Sequence, residues 1–488
     1  MNLKFVIKIL SIVFIITGLA MIPAFITSII YKEQNIAIAF AITAPVLTII
    51  NYIVYRRIKP SSSVLRARES ILIVGACWIL CSLIGAIPYM ISGYTTSFID
   101  AFFESTAGFT TTGATVMNVE IMPRGILMWK AMTHWLGGMG IIVLAVSLMP
   151  ALGIGGFNLF AAESPGIRIN KMTSRISDSA KMLYIMYLVF FVVEFILLLF
   201  SEMTPFEAII NALGSVTTSG IVSHTAGLAY FDSVYIEVVI AIFTILASIN
   251  FLIYHFALTG KFKDIIRDIE LKVFISMIIG ACTFVVLNLY FSGIYDSIGE
   301  CLRYAFFQVT SMTSTAGFSI TDYTTWPTAS KLVLFLLMTI GGCGASTCGG
   351  IKLARIVLAV KLIGLTIYRK IHPRAVVTLK ACGETIPPLI VSQAISFIFV
   401  YLLVFLLGSW ILSIQGLDLQ TTFSSAMAMI SNTGIAFGEV GGSGNFAVFT
   451  PPLRLVLSFL MIIGRLEIFT LLFLFMPSFW NPNKHKMK

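Results

Sequence analysis

The sequence predicts an all-α integral membrane protein: ten transmembrane helices with four re-entrant pore half-helices around a fourfold pseudosymmetric pore. Three observations predict it. The composition is apolar throughout, basic residues keep to alternate loops, and one short pattern recurs four times. Of 488 residues, 58% are hydrophobic and only 11% charged, less than half the roughly 25% charge of an average soluble domain. No polar stretch is long enough to be a separate soluble domain.

Runs of about 20 or more apolar residues, the length that crosses a ~30 Å hydrocarbon core, lie near 5–30, 36–55, 70–93, 125–149, 181–201, 233–256, 273–293, 330–363, 389–414 and 453–479. The first run follows Lys4 and Lys8 like a signal peptide. It is longer than an h-region of ~7–15 residues and no clear cleavage site follows, so it reads as a retained helix.

Basic residues gather in every second loop: Arg56, Arg57, Lys59, Arg66 and Arg68; Arg168, Lys171, Arg175 and Lys181; Lys261, Lys263, Arg267 and Lys272; and Lys352, Arg355, Lys361, Arg369, Lys370, Arg374 and Lys380. Lys484, Lys486 and Lys488 close the chain. The positive-inside rule makes these loops and both termini cytoplasmic. It also accounts for the net charge of +10 without nucleic acid. The opposite loops carry Glu33, Asp100, Glu104, Glu120, Glu202, Glu207, Asp232, Glu237, Asp296, Glu300, Asp322, Asp418 and Glu439. Such an acidic face either concentrates cations at an entrance or simply keeps the outer loops solvated.

Shorter stretches such as SFIDAFFESTAGF (97–109) and TPFEAIINALGSV (204–216) separate the later spans. At 1.5 Å per residue they make only about 20 Å, so they dip in and return. They align without gaps on a glycine: STAGFTTTG ending at Gly113, ALGSVTTSG at Gly220, VTSMTSTAG at Gly317 and AMAMISNTG at Gly434. Twelve residues before each glycine stands a small residue (Ala101, Ala208, Ala305, Thr422), and eleven before, a large apolar one (Phe102, Ile209, Phe306, Phe423). The spacing divides the chain into an N-terminal two-helix hairpin (1–68) and four pore repeats (69–150, 151–256, 257–365 and 366–488), an internal repetition of one unit.

Non-helical backbone at membrane depth survives only where it lines water or is buried in protein. A dehydrated cation needs a ring of oxygens, which an extended backbone supplies through its carbonyls. Glycine reaches positive φ without a Cβ clash, and Thr and Ser add uncharged hydroxyls. A single such stretch is more simply a small-residue packing motif. Four in register point to ion coordination by Thr111, Thr112 and Gly113; Thr218, Ser219 and Gly220; Thr315, Ala316 and Gly317; and Asn432, Thr433 and Gly434.

Over essentially its whole length the chain resembles the TrkH family of bacterial potassium uptake subunits, in the Trk/Ktr/HKT superfamily. The residues that carry the likeness are STAGFTTTGAT, GSVTTSGIVSH, TSMTSTAGFSI and AMISNTGIAFGEVG, together with the extra N-terminal helix pair. The resemblance implies a multi-pass protein of the bacterial inner membrane that mediates K+ uptake, with K+ as the transported ion at the filter and no organic cofactor. It implies a homodimer and a cytoplasmic TrkA-like partner whose RCK domains bind nucleotides. Glycine at all four filter positions implies selectivity for K+. The basic segment Arg369–Lys380 is a candidate docking site for the partner, or a plain topology determinant.

Two further features fall inside helical spans. GGCGASTCGG, from Gly341 through Gly342, Gly344 and Gly349 to Gly350, opposes helix in the third inner span, since glycine costs about 1 kcal/mol per position against alanine. It reads as close packing or as an irregular loop that blocks ions; Gly350 stands where a phosphate loop needs Lys. Arg465 lies midway along the fourth inner span, where a charge usually faces water. It reads as a structural ion pair with Glu194 or as a charge restraining cations. The resemblance implies gating roles for both the loop and Arg465.

Little else points to chemistry. The seven cysteines (Cys77, Cys81, Cys282, Cys301, Cys343, Cys348, Cys382) and the five histidines show no ligand spacing. Lys130 and His134 share a helix face and read as interfacial packing. No nucleophile, acid pair or metal cluster argues for an enzyme. A secondary cation symporter coupled to H+ or Na+ is the alternative to a channel, although repeats of one topology count against the inverted-repeat design.

Overall fold

The computed structural model describes residues 1–59, 67–138, 140, 176–375, 377–381, 384–442 and 445–480. Among these the chain is helical apart from two paired two-residue strands, Lys380–Ala381 and Glu384–Thr385. Among the described residues five helices are long and apolar enough to cross a bilayer: Leu3–Ile30, Gln34–Arg57, Arg68–Ile91, Ile269–Phe291 and Pro388–Gln415; two sharply bent helix pairs would raise the number to seven. The expected halves of the fourth span beyond 138, the boundary at 150/151, and Arg66, Arg168, Lys171, Arg175, Cys382, Lys484, Lys486 and Lys488 lie outside the described residues.

The N-terminal pair comprises α1 (Leu3–Leu19) with its continuation α2 (Ile22–Ile30), packed along α3 (Gln34–Arg57). Pro23, in the first turn of α2, suits a helix start because its missing N–H has no partner there anyway. Between α2 and α3, Glu33 accepts from the backbone N–H groups of Arg124 (2.7 Å) and Gly125 (2.9 Å). Those groups open α6 (Arg124–Gly138), so a carboxylate from another element caps that helix's positive end. α4 (Ala67–Ile91) and α5 (Phe98–Phe109) complete the first unit. There the buried Trp129 donates from Nε1 to the Gly85 carbonyl (3.0 Å) and meets Phe109 edge to face.

The remaining units repeat the arrangement: α7 (Ile176–Leu198), α8 (Pro205–Val216), α9 (Val234–Ser248) and α10 (Phe251–Leu258); α11 (Ile269–Phe291), α12 (Ile298–Thr313), α13 (Thr328–Ile340) and α14 (Leu353–Ile371); α15 (Pro388–Leu412), α16 (Leu419–Ile430), α17 (Pro451–Arg465) and α18 (Phe469–Phe475). The short helices α5, α8, α12 and α16 start alike. Ser97, Thr204, Ser297 and Asp418 each accept from the backbone N–H three residues on, and Thr204 forms a full capping box with Glu207.

Among the described residues three inner spans depart from a straight helix. The expected break at Gly341–Gly350 is present between α13 and α14. The second inner span, expected to be continuous, bends by 90° between α9 and α10. Asn250 caps the new start through Leu252 N (3.0 Å), which interrupts an otherwise apolar run. The fourth bends by 113° between α17 and α18, through Glu467 (φ +53°) and Ile468 (φ +58°). Arg465 is therefore the last residue of α17 rather than mid-helix, at the end where a cation suits the helix dipole.

The acidic face is also less open than the sequence suggests. Glu104, Glu207 and Glu237 are buried. Glu237 pairs with Arg303 (2.6 Å), Asp100 with Arg454 (2.6 Å) and Glu207 with His224 (2.7 Å). Arg303 and Arg454 thus offset the charge of two of these acids, Glu237 and Asp100.

Glu33→Ala should lower the thermal stability of the purified protein by about 1–2 kcal/mol, as loss of an N-cap does.

Candidate functional site

Each short helix runs into a turn and then a short irregular strand, outside any sheet, containing the predicted residues. Thr111, Thr218, Thr315 and Asn432, two before the aligned glycines, all have positive φ (54°, 51°, 55° and 56°). The glycines follow at +75°, +61°, +77° and +78°. Positive φ is an outlier for β-branched threonine and persists only where the surroundings over-determine it. All four segments share this one unusual conformation.

The four strands meet in a closed ring. A Cβ placed on Gly113 would lie 1.7 Å from the Ser219 carbonyl oxygen; on Gly220, 2.2 Å from that of Ala316; on Gly317, 1.9 Å from that of Thr433; and on Gly434, 1.8 Å from that of Thr112. The carbonyl before each glycine thus sits against the next glycine around the ring, and the fourth returns to the first. Positive φ is one reason for glycine here. The absence of room for any side chain is a second.

The hydroxyls expected beside the ion point elsewhere. Thr112 pairs with Thr110 (2.8 Å), Ser219 with Thr217 (2.6 Å) and Thr433 with Ser431 (2.7 Å). In the third unit Ala316 offers no hydroxyl, and Ser314 Oγ accepts from its backbone N–H (3.3 Å). These bonds tie each strand back to the end of its own helix. The residues three before the glycines, Thr110, Thr217, Ser314 and Ser431, were missed from the sequence, although a hydroxyl in all four aligned positions is visible there.

The glycine-rich loop lies against the ring. Thr218 Oγ1 donates to Thr347 Oγ1 (3.1 Å), and Gly349 N donates to Thr315 Oγ1 (2.9 Å). A Cβ on Gly349 would fall 2.0 Å from the Ser431 carbonyl oxygen. The loop therefore touches the strands of the second, third and fourth units. Gly341 and Gly350 approach each other at its two ends, Gly342 packs on Cys348, and Gly344 N donates to Glu270 (2.6 Å).

Arg465 spans the remaining side. Its guanidinium donates to the Thr347 carbonyl (2.9 Å) in the loop and to the carbonyls of Gly137 (2.5 Å) and Gly138 (2.9 Å) at the end of α6. The suggested pair with Glu194 does not form: Glu194 accepts from the Ser215 hydroxyl on α8.

A cavity over the ring is lined by Gly113, Gly220, Gly317 and Gly434, with Lys130 and His224 at its wall. Lys130 is more than packing. Its ammonium meets Glu104 Oε2 (2.7 Å), and both side chains are buried. Glu104 Oε1 also accepts from Thr115 Oγ1 (2.6 Å) and Val116 N (2.8 Å), just beyond Gly113. No group of three or more His, Cys, Asp or Glu able to hold a metal occurs among the described residues.

Residues 32–482 match the family described as "TrkH: Cation transport protein". The chain is 36% identical to the Trk system potassium uptake protein TrkH of Salmonella typhimurium, over 99% of this chain and 100% of that one. It is 34% identical to the Trk system potassium uptake protein TrkG of Escherichia coli, over 95% and 96%. The crystal structure of the potassium transporter TrkH from Vibrio parahaemolyticus superposes with a TM-score of 0.86 at 32% identity, covering 98% of this chain and all of that one.

The Glu104–Lys130 pair should be asymmetric to mutation. Lys130→Met leaves a buried carboxylate uncompensated and should cost about 3–5 kcal/mol in thermal or denaturant unfolding. Adding Glu104→Gln should recover much of that loss. A double variant no more stable than Lys130→Met would exclude the charge pair as the cause.

Proposed function

The chain belongs to the TrkH family of cation transport proteins and is a multi-pass membrane protein, not an enzyme; from this we propose that it conducts K+ inward through a single pore built from four unequal repeats. The observation that carries the reading is the closed ring of four carbonyl–glycine contacts. Backbone carbonyls of Thr111, Thr112 and Gly113, of Thr218, Ser219 and Gly220, of Thr315, Ala316 and Gly317, and of Asn432, Thr433 and Gly434 replace the ion's water. The ends of α5, α8, α12 and α16 run into these strands, so the negative ends of four helix dipoles favour a cation there. The repeats correspond to 69–150, 151–256, 257–365 and 366–488, after the hairpin 1–68.

The full topology has ten spans and four re-entrant half-helices, with both termini in the cytoplasm of a bacterial cell and the protein in its inner membrane. The loop from Gly341 to Gly350 and Arg465 form the gate: the loop obstructs the path under the filter, and the fixed positive charge raises the energy of a cation beside it. Similar proteins are named as parts of a Trk system, which fits a homodimer with a TrkA-like, nucleotide-binding RCK partner acting from the cytoplasm on α14 and the basic segment after it. The membrane potential, at about 2.3 kcal/mol per charge per 100 mV, suffices as a driving force.

Two measurements test this. Gly113→Ala should lower the K+/Na+ permeability ratio in liposomes by about tenfold, ~1.4 kcal/mol, with Gly113→Ser similar, because any Cβ displaces the Ser219 carbonyl. An unchanged ratio in conducting protein would reject the four-strand filter. Arg465→Ala, or a shortened Gly341–Gly350 loop, should raise K+ flux without the partner while the ratio is kept. Lower flux in folded protein from both changes would reject the gate.

A further inference from the structure

The gate reading leaves open how movement of the helix after the loop reaches the loop itself. We infer that Glu467, gripped by Lys352 and Arg355, is the clamp that couples α14 to Arg465 and holds the resting loop in place. This deepens the gate assignment and rests on it.

The geometry is specific. Lys352 Nζ lies 3.2 Å from Glu467 Oε1, and the Arg355 guanidinium hydrogen-bonds Glu467 Oε2. All three side chains are largely buried, at 18%, 15% and 16% exposure, so the contact is shielded from solvent screening. Arg355 is further fixed by the Phe397 ring (3.9 Å to its centroid) and by the Ile351 carbonyl (3.0 Å). Lys352 and Arg355 stand at the first turn of α14, where the loop ends. Glu467 stands in the bend of the fourth inner span, two residues from Arg465.

The loop behaves as a noose tied at its neck. Ile351 N donates to Thr339 O (3.1 Å), Lys352 N to Ile340 O (2.8 Å) and Leu353 N to Gly342 O (3.0 Å), so its two ends are laced together. Its middle is held by Arg465 at Thr347. Axial movement of α14 must therefore pull Lys352 and Arg355 from Glu467 or drag the bend with them. The bend itself sits on two residues with positive φ, Glu467 and Ile468, a conformation kept only by its surroundings. Without the carboxylate, Lys352 and Arg355 repel each other at the neck, and the ion pair that ties the start of α14 to the bend after α17 is lost. Glu467 is a positioning residue: it acts through Arg465 and the loop.

The test is K+ and Na+ flux through the purified full chain in liposomes, with no partner present. Glu467→Gln should raise basal K+ flux about tenfold, with the K+/Na+ ratio unchanged. Lys352→Met/Arg355→Met should raise it equally, and the triple variant should add nothing, since all three remove one interaction. The exchange Glu467→Arg/Arg355→Glu, made together with Lys352→Met so that no second cation faces position 467, should return flux toward the parental level. If Glu467→Gln does not fold, the Lys352→Met/Arg355→Met protein carries the same measurement. Parental or reduced flux in folded variants, additive effects, or no recovery on charge exchange would overturn the clamp. Arg465→Ala and the shortened loop are measured alongside. If they raise flux while the clamp variants do not, the clamp fails and the gate stands; if none raises flux, the gate reading fails.

Discussion

Four strands come edge to edge in this protein only because none carries a Cβ where they meet. Each pre-glycine carbonyl occupies the space that a side chain on the neighbouring glycine would fill, at 1.7 to 2.2 Å from the would-be Cβ. Holding that ring has a conformational cost. Thr111, Thr218, Thr315 and Asn432 are each in a region that costs about 1–3 kcal/mol, and four such terms rival the net stability of 5–15 kcal/mol typical of a domain. The surroundings offset it. Hydroxyl pairs bind three strands to their helix ends, Glu104 fixes the first strand beyond the ring, and the short helices are capped at their starts.

The same constraint explains why interruptions of the inner helices occur together. A broken helix in a membrane leaves carbonyls and N–H groups that lipid cannot satisfy. Here one break supplies the other. Ser248 O at the end of α9 accepts from Cys343 N (3.0 Å), Ala247 O accepts from Thr347 N (3.4 Å) and its hydroxyl (3.2 Å), and Ala345 O accepts from Phe251 N at the start of α10 (3.2 Å). The loop and the 90° bend are a single hydrogen-bonded feature. Separating them would leave these donors and acceptors without their partners.

This is also why one was legible in the sequence and the other was not. GGCGASTCGG announces its own break through glycine content. The bend at Ile249–Asn250 is marked only by one asparagine in an apolar run, and its cause lies about 95 residues away in the loop. The bend after Arg465 has no glycine or proline at its pivot, where Glu467 and Ile468 take positive φ and Glu467 is held by Lys352 from another element. The four glycine segments were legible because their pattern repeats. The direction of their hydroxyls was not, since spacing cannot tell a side chain facing the ring from one facing its own helix. Acids assigned to an outer face proved to be paired, with Glu104 and Glu237 buried, because the partners Lys130, Arg303 and Arg454 come from distant segments.

Arg465 shows how these parts become one device. A guanidinium presents its donors in a rigid planar fork, so it can serve acceptors in different directions at once, which a lysine ammonium on a flexible stem does less well. It reaches the loop of the third unit and the end of α6 in the first, from its own place at the end of α17 in the fourth. The second unit joins through Ala247 and Ser248, which hold the loop from the opposite side. All four inner spans therefore converge beneath the ring. A loop held by only one neighbour could swing aside alone. This one is laced to the strands, to the second inner span and to Arg465, so releasing it requires several polar contacts to be exchanged together. That cooperativity favours two discrete arrangements over a graded one, because partial release leaves buried donors and acceptors unsatisfied.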